Sequence, residues 1–267
     1  MTKSAYCAQI MGAREYQQDY AVVRGGDAPG EPCLLLVCDG MGGHAAGDVA
    51  SSLAARAFLG VYNDSDGADP KDWFMQALAA SNVAIADAVA GNEALHDMGT
   101  TLLACMVAGD TATWISVGDS PLYHIRKSAA SVWNDDHSMA PFLDNLAQEG
   151  KITPEEALRD GRRNALRSAV MGDEIPLIDL QQKEQALKPG DILLLASDGI
   201  LSLKESEIGK LAAKSRSSGA KAIATSLLEA VDARGVPHQD NATVAAYVHR
   251  QDKVGGILRG LFGGQRR

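Results

Sequence analysis

The stretch that decides the fold is CLLLVCDGMGG, residues 33–43. Its first six residues are apolar, and a short apolar run between turn residues is typical of a strand buried on both faces. An Asp-Gly pair usually marks a hairpin turn, but here a glycine-rich loop and a helical pattern follow it. We therefore expect a buried strand that ends at Asp39, beside a loop whose glycines let a ligand approach the backbone closely.

A second stretch, LLLASDG at residues 193–199, repeats this pattern and leads into Asp198. Two such strands side by side bring two carboxylates to one edge of a core. Asp19 and Asp240 also lie next to predicted strands. Oxygen ligands at strand ends, without a convergent His or Cys pattern, suit Mg²⁺ or Mn²⁺ rather than zinc, and the Gly40 carbonyl can add another oxygen. Without a cation, clustered carboxylates repel each other and take up protons.

The remaining periodicity predicts an α+β protein rather than a repeating βαβ chain. Short strands after residue 100 have the spacing of an antiparallel meander. A helix is expected to open at Asp69-Pro70, where Asp caps and Pro occupies the first turn. The expected helices are residues 43–62, 69–88, 139–150, 154–160, 203–213 and 220–233, and the expected strands include 100–108, 111–117, 122–125, 131–133, 178–187, 191–197 and 242–249.

Charge and composition exclude several classes of protein. Lys and Arg total 25 against 34 Asp and Glu, and the formal charge of −9 disfavours nucleic acid as a partner. The longest apolar runs are far shorter than the roughly 20 residues that cross a bilayer, and the N-terminus lacks the apolar region of a secretory signal. We expect a cytoplasmic protein without a transmembrane segment, with reduced core thiols at Cys7, Cys33, Cys38 and Cys105.

Short motifs spread over roughly residues 6–248 resemble one family, the bacterial type 2C (PPM) metal-dependent Ser/Thr protein phosphatases. They occur in the family's order: 12–14 with 18–19, 39–44, 99–101, 117–120, 136–138, 163–164, 190–191 with 197–199, and 240–243. The resemblance implies a four-layer α/β/β/α sandwich, in which two mostly antiparallel sheets lie between helix pairs.

The resemblance also implies a binuclear Mn²⁺ or Mg²⁺ centre at one end of that sandwich, with a third ion in bacterial members. The implied ligands are Asp39 for both ions, Asp198 and Asp240 for one, Asp19 and the Gly40 carbonyl for the other, and Asp119 with Asp198 for the third. A hairpin turn is the alternative explanation of Asp119. Arg14 matches the family's phosphate-binding arginine, since a guanidinium holds two phosphoryl oxygens at once. The implied reaction is hydrolysis by a water that bridges the metals, without a phosphoenzyme.

The acid that protonates the leaving oxygen is unassigned. Met41 stands where eukaryotic relatives carry a His. His44 and His137 are the candidates, although a lone His is ordinarily a loop or packing residue. The insert around residues 140–163 resembles the flap beside the family's active site, and we expect it to tune substrate choice.

The expected protein is one phosphatase domain, residues 1–250, followed by a basic, glycine-rich tail at 251–267. We expect that tail to be disordered, with docking on a partner or membrane surface as the alternative. Phosphorylated proteins are the expected substrates, a bacterial Ser/Thr kinase the expected counterpart, and a monomer the expected state. The rival hypotheses are a catalytically silent phosphoprotein-binding relative, a phosphatase dedicated to one anti-sigma-factor antagonist, and a two-metal nuclease, which the charge disfavours.

Overall fold

Two antiparallel β-sheets packed face to face form the centre of the molecule. The computed structural model describes residues 4–27, 31–43, 46–65, 68–181 and 183–250. Within them the strands are β1 (Ala5–Ile10), β2 (Asp19–Gly25), β3 (Cys33–Met41), β4 (Gly99–Thr100), β5 (Leu102–Ala108), β6 (Thr111–Val117), β7 (Leu122–Arg126), β8 (Ala129–Val132), β9 (Asp179–Leu180), β10 (Gln185–Ala186), β11 (Ile192–Ala196) and β12 (Ala242–Val248). One sheet has the order β1-β12-β11-β7-β8, and the other β10-β6-β5-β3-β2, with β4 paired to β3 and β9 to β6.

The two faces of β3 pack against different layers, because successive strand side chains point in opposite directions. Leu34 belongs to an apolar cluster with Phe58 of the helical layer. Leu35, the next residue, belongs to a cluster with Leu193 of the other sheet. Both leucines are fully buried, so the predicted strand buried on both faces and the four-layer sandwich are confirmed.

The described residues form six α-helices, and two pairs of them cover the outer faces of the sheets. The helices are α1 (Ala46–Asp64), α2 (Pro70–Gly91), α3 (Ala140–Gln148), α4 (Pro154–Arg159), α5 (Glu205–Ser215) and α6 (Ala220–Asp232). The first two pack on the sheet that contains β3, and the last two on the sheet that contains β11. The predicted cap of α2 is present, since a carboxylate oxygen of Asp69 accepts the N–H of Lys71 at 3.0 Å.

One described helix, α2, is long and apolar enough, by length and composition alone, to cross a bilayer. In the structure it buries one face that contains Trp73, Phe74 and Ile85. The ring of Trp73 packs edge-on against Phe58 of α1, with centroids 5.7 Å apart. This packing is that of a helix in the outer layer of the sandwich, with one face on the core, and the absence of a membrane span stays a prediction.

The predicted meander is wrong at its midpoint. β5 pairs with β6 and β7 with β8, but β6 and β7 lie in different sheets. The chain crosses between the sheets just after Gly118, whose φ is +104°. A Cβ at this position would lie 2.6 Å from Cγ2 of Thr101, so only glycine fits the crossing.

The strand predicted over residues 178–187 is reduced to two short strands, β9 and β10. β9 pairs with Ile115 and Ser116, whereas β10 pairs with Thr111 and Ala112, so the two contact separate parts of β6. Polar residues lie between them and leave no continuous apolar run to bury. The predicted tail at 251–267 lies outside the described residues.

The cysteines agree with their interpretation as core thiols. All four are free, Cys33, Cys38 and Cys105 are buried, and Cys7 is half-buried. Burial raises the pKa of the Cys33 thiol to about 12, which keeps it protonated at neutral pH.

Candidate metal centre

Strand ends bring the predicted acidic residues together at one end of the sandwich. Asp19 and Asp39 are direct partners on the neighbouring strands β2 and β3. Asp198 begins a 3-10 helix after β11, and Asp240 lies just before β12. Asp39, Asp198, Asp240 and Asp119 line one cleft of about 610 Å³. Carboxylates that are far apart in the sequence therefore lie close together in the structure.

Burial and mutual repulsion raise the pKa values of these carboxylates. Burial raises the pKa of Asp39 well above its usual range, and the charges of the other four raise it further. Burial, followed by the charges of Asp240 and Asp19, raises the pKa of Asp198 to about 6. Burial and neighbouring acids, Asp198 first, raise the pKa of Asp119 to about 7. A bound cation would relieve this repulsion.

Asp19 has one satisfied and one orphaned oxygen. Its Oδ2 accepts hydrogen bonds from the hydroxyls of Ser197 at 2.7 Å and Thr243 at 2.6 Å. Its Oδ1 is buried and has no hydrogen-bond partner among the residues that the structure describes. Burial raises the pKa of Asp19, and the two hydroxyls oppose that rise. A buried carboxylate oxygen without a partner is costly unless a ligand satisfies it.

The donor set fits a hard cation, because the cleft offers carboxylate and carbonyl oxygens. Among the described residues, no three acidic, His or Cys side chains converge closely enough to hold an ion by themselves. Mg²⁺ usually keeps several waters and takes only one or two carboxylates, so this looser arrangement is compatible with it. The orphaned oxygen of Asp19 and the shared repulsion are the observations that favour a metal here.

The backbone of Gly40 lies where no side chain fits. Its N–H donates to the Gln18 carbonyl at 3.1 Å, and a Cβ would lie 2.1 Å from the carbonyl oxygen of Gly47 in α1. This close approach lets the start of α1 pack on the end of β3, and Gly40 forms part of the cleft wall. Metal binding by its carbonyl stays a prediction.

Sequence reasoning missed the hydroxyl side chains that support the carboxylates: Ser197, Thr243 and Thr101. The Oγ1 of Thr101 accepts the N–H of Asp39 at 2.9 Å and lies 2.8 Å from the hydroxyl of Ser120. Thr101 thereby joins the backbone of Asp39 to the loop that carries Asp119. The available sequence signal is that Ser197 directly precedes Asp198 and that Thr243 follows Asp240 by three residues, and it does not show which carboxylate each hydroxyl contacts.

Arg14 lies at the mouth of the cleft, in the loop between β1 and β2. Its Nη2 is 2.5 Å from Oδ2 of Asp240, and its side chain is 53% exposed, which leaves the guanidinium accessible. The hydrogen bond to Asp240 raises the pKa of Arg14. Asn241 fixes this loop, because its amide accepts the N–H of Gln18 and donates to the Met11 carbonyl, both at 2.8 Å.

His137 has a structural position. It is 5% exposed, and its Nδ1 accepts the N–H of Gly118 at 3.2 Å. Burial lowers its pKa, which favours the neutral imidazole. His137 therefore steadies the turn that presents Asp119, while His44 lies outside the described residues.

The predicted flap, residues 140–163, contributes no residue to the cleft wall, whereas the segment that directly follows it does. Asn164, Leu166 and Arg167 of that segment line the cleft. Arg163, in contrast, forms an ion pair within the flap, since its Nη1 lies 2.8 Å from Oδ1 of Asp144 on α3.

Gly199→Ala is expected to lower the free energy of unfolding by about 2 kcal/mol or more. A Cβ at this position would lie 2.0 Å from the backbone carbonyl oxygen of Asn241, which cannot move without disturbing β12. Urea unfolding measures the change. Gly60→Ala in α1 is the control: its Cβ meets nothing within 4 Å, so we expect a gain of about 0.5–1 kcal/mol. Equal stability of Gly199→Ala and wild type would contradict the close packing beside Asp198.

Comparisons with known proteins agree with this geometry. Residues 12–229 match the family described as Protein phosphatase 2C. The serine/threonine protein phosphatase PstP of Mycobacterium tuberculosis is 38% identical over 168 residues, which are 62% of this chain and 31% of that relative. The chain thus matches less than a third of that relative's length.

Solved structures are similar over nearly the whole chain. The crystal structure of M. tuberculosis PstP/Ppp has a TM-score of 0.76 and 31% identity, covering 92% of this chain and 98% of that one. The catalytic domain of PstP in complex with two manganese ions has a TM-score of 0.71 and 30% identity, covering 93% and 98%.

Proposed function

The chain belongs to the protein phosphatase 2C family, and we propose that it is a metal-dependent phosphatase that hydrolyses phosphoserine and phosphothreonine in proteins. The observation that carries this proposal is the convergence of Asp39, Asp198 and Asp240 around a cleft, with Asp19 paired to Asp39 on the neighbouring strand. One buried oxygen of Asp19 has no hydrogen-bond partner among the described residues. A bacterial Ser/Thr kinase is the proposed counterpart, because similar proteins are named serine/threonine phosphatases.

Two divalent ions, Mn²⁺ or Mg²⁺, are proposed to bind at this centre. Asp39 would contact both; Asp198 and Asp240 would hold one ion, and Asp19 with the Gly40 carbonyl the other. Asp119 is proposed to hold a third. When bound, such ions neutralise the carboxylates, acidify water and offset charge on the phosphoryl oxygens. A relative whose structure contains two manganese ions supports the proposal of two bound ions.

The residues of the chain itself supply orientation. The exposed guanidinium of Arg14 can hold two phosphoryl oxygens in a fixed geometry, and its contact with Asp240 keeps it next to the centre. Thr101 holds the backbone of Asp39 from both directions, since its own N–H also donates to the Asp39 carbonyl at 2.9 Å. The carboxylates are therefore positioned before substrate arrives.

Turnover of para-nitrophenyl phosphate and of a phosphothreonine peptide tests the proposal. We expect hydrolysis of both with Mn²⁺, and its loss on adding a chelator. A protein that binds the phosphopeptide but hydrolyses neither substrate at any metal concentration would instead support the silent, phosphoprotein-binding alternative.

The metal-free protein should lose stability as the pH rises from about 5 to 8. The folded-state pKa values of Asp198, about 6, and Asp119, about 7, lie above their ordinary value of 3.8. The folded state therefore binds more protons than the unfolded state in this window, and ionisation opposes folding. We expect a Tm on the order of 5 °C higher at pH 5.5 than at pH 8.

Excess Mn²⁺ should raise the Tm at pH 8 and reduce this pH dependence, because the ion binds only the folded state. Differential scanning fluorimetry in chelator and in Mn²⁺ measures both effects. Asp198→Asn is the matched variant: without metal it should show a flatter profile. A metal-free Tm that rises between pH 5.5 and 8 would contradict the mutual repulsion.

A further inference from the structure

A second cavity adjoins the cleft of the candidate metal centre. Its volume is about 350 Å³, and its wall consists of residues from the loop between β1 and β2 together with one glycine that follows β3. The lining residues are Ala13, Arg14, Glu15, Tyr16, Gln18 and Gly42. Arg14, Gln18 and Gly42 also line the main cleft, so the two cavities share a boundary.

Two residues that line the second cavity but not the main cleft are acidic and aromatic, namely Glu15 and Tyr16. Tyr16 is 51% exposed, and Glu15 is exposed as well. Neither side chain forms a hydrogen bond or ion pair within the part of the chain that the structure describes. Arg14 at the boundary differs, because its charge is already opposed by Asp240.

The loop that forms this cavity is fixed in place. The N–H of Ala13 donates to the Gln239 carbonyl at 2.8 Å, and the amide of Asn241 donates to the Tyr16 carbonyl at 3.0 Å. Gln18 is tied to the same Asn241 through its own N–H. A ligand that enters the cavity therefore meets a formed surface and has little loop ordering to impose.

We propose that this second cavity is a subsite for an arginine or lysine side chain next to the phosphorylated residue of the substrate. The inference rests on the proposed function: Arg14, the proposed phosphate-binding residue, lines both cavities, so a phosphate held there would lie next to the second cavity. A carboxylate beside an exposed aromatic face complements a cation. The aliphatic stem of Arg or Lys packs on apolar surface while its charged head meets the carboxylate.

Phosphothreonine peptides with Arg, Ala or Glu placed at one flanking position at a time test the subsite. For wild type we expect one position at which Arg raises kcat/KM about tenfold over Ala, mainly through KM, which corresponds to about 1.4 kcal/mol. Glu at that position should be the poorest. Glu15→Lys should reverse the order, so that the Glu peptide exceeds the Arg peptide. Tyr16→Leu should reduce the Arg preference to about threefold.

Glu229→Lys on the exposed face of α6 is the matched control and should keep the wild-type ratios. Equal rates on Arg and Ala peptides, or unchanged ratios in Glu15→Lys, would overturn the subsite. Fluorescence anisotropy with the same peptides and Mn²⁺ separates this inference from the proposed function. Absence of turnover combined with preferred binding of the Arg peptide would overturn the catalytic proposal and leave the subsite supported.

Discussion

Asp39→Asn is expected to reduce kcat/KM for para-nitrophenyl phosphate by about a thousandfold at saturating Mn²⁺, equivalent to about 4 kcal/mol of transition-state stabilisation. Burial raises the pKa of Asp39, and the negative charges of four neighbouring carboxylates raise it further: those of Asp19, Asp198, Asp119 and Asp240. Asp39 is therefore the central carboxylate of the group. Asparagine keeps the shape of the side chain but removes the negative charge that a shared cation position requires. Steady-state kinetics over a range of Mn²⁺ concentrations measure the loss.

Stability measurements separate this loss from misfolding. The metal-free Asp39→Asn protein should be at least as stable as wild type, because one of the repelling charges is gone, yet Mn²⁺ should stabilise it less. Asp87→Asn on the exposed face of α2 is the matched control and should retain full activity. An Asp39→Asn enzyme that keeps a tenth or more of the wild-type rate would remove Asp39 from the mechanism.

Asp191→Ala is expected to lower the free energy of unfolding by about 2–3 kcal/mol and the Tm by about 7 °C. The Asp191 side chain is 2% exposed and lies 2.6 Å from Nη2 of Arg126 and 3.0 Å from Nε2 of His124. It also accepts the N–H of Lys188 at 2.8 Å. Burial opposes its ionisation, but the hydrogen bonds from Arg126 and from the N–H of Lys188 prevail and hold the pKa of Asp191 well below its usual range. Alanine leaves the donors without their partner.

Thermal and urea unfolding of Asp191→Ala measure the destabilisation. Asp110→Ala is the control, because the pair of Asp110 with His249 has an 80% exposed carboxylate and should contribute under about 1 kcal/mol. Asp191 stabilises the folded state at pH values above its ordinary pKa, and this contribution is lost progressively as the pH falls below about 4. The free energies of unfolding of wild type and Asp191→Ala should therefore converge in acid. β11 separates Asp191 from Asp198 by roughly 20 Å, so kcat of the folded variant should be unchanged. A loss below 1 kcal/mol at pH 7 would contradict this account.

Local patterns predicted the elements on which the site is built. An apolar run with turn residues at both ends has to be buried, so β3 and β11 and the acidic residues near their C-terminal ends were predictable. The cap at Asp69-Pro70 acts within two residues and was equally predictable. The individual roles of Arg14 and the aspartates came from the family resemblance and stay predictions.

The sequence by itself determined that two buried strands lead into Asp39 and Asp198, since hydrophobic burial and turn chemistry act over a few neighbouring residues. Only the tertiary structure decided that these strands lie in different sheets, rather than side by side, and face each other across the core. It also decided that Asp19 meets Ser197 and Thr243, which are 178 and 224 positions away. Such contacts depend on how the sheets pack, and no short-range pattern encodes that packing.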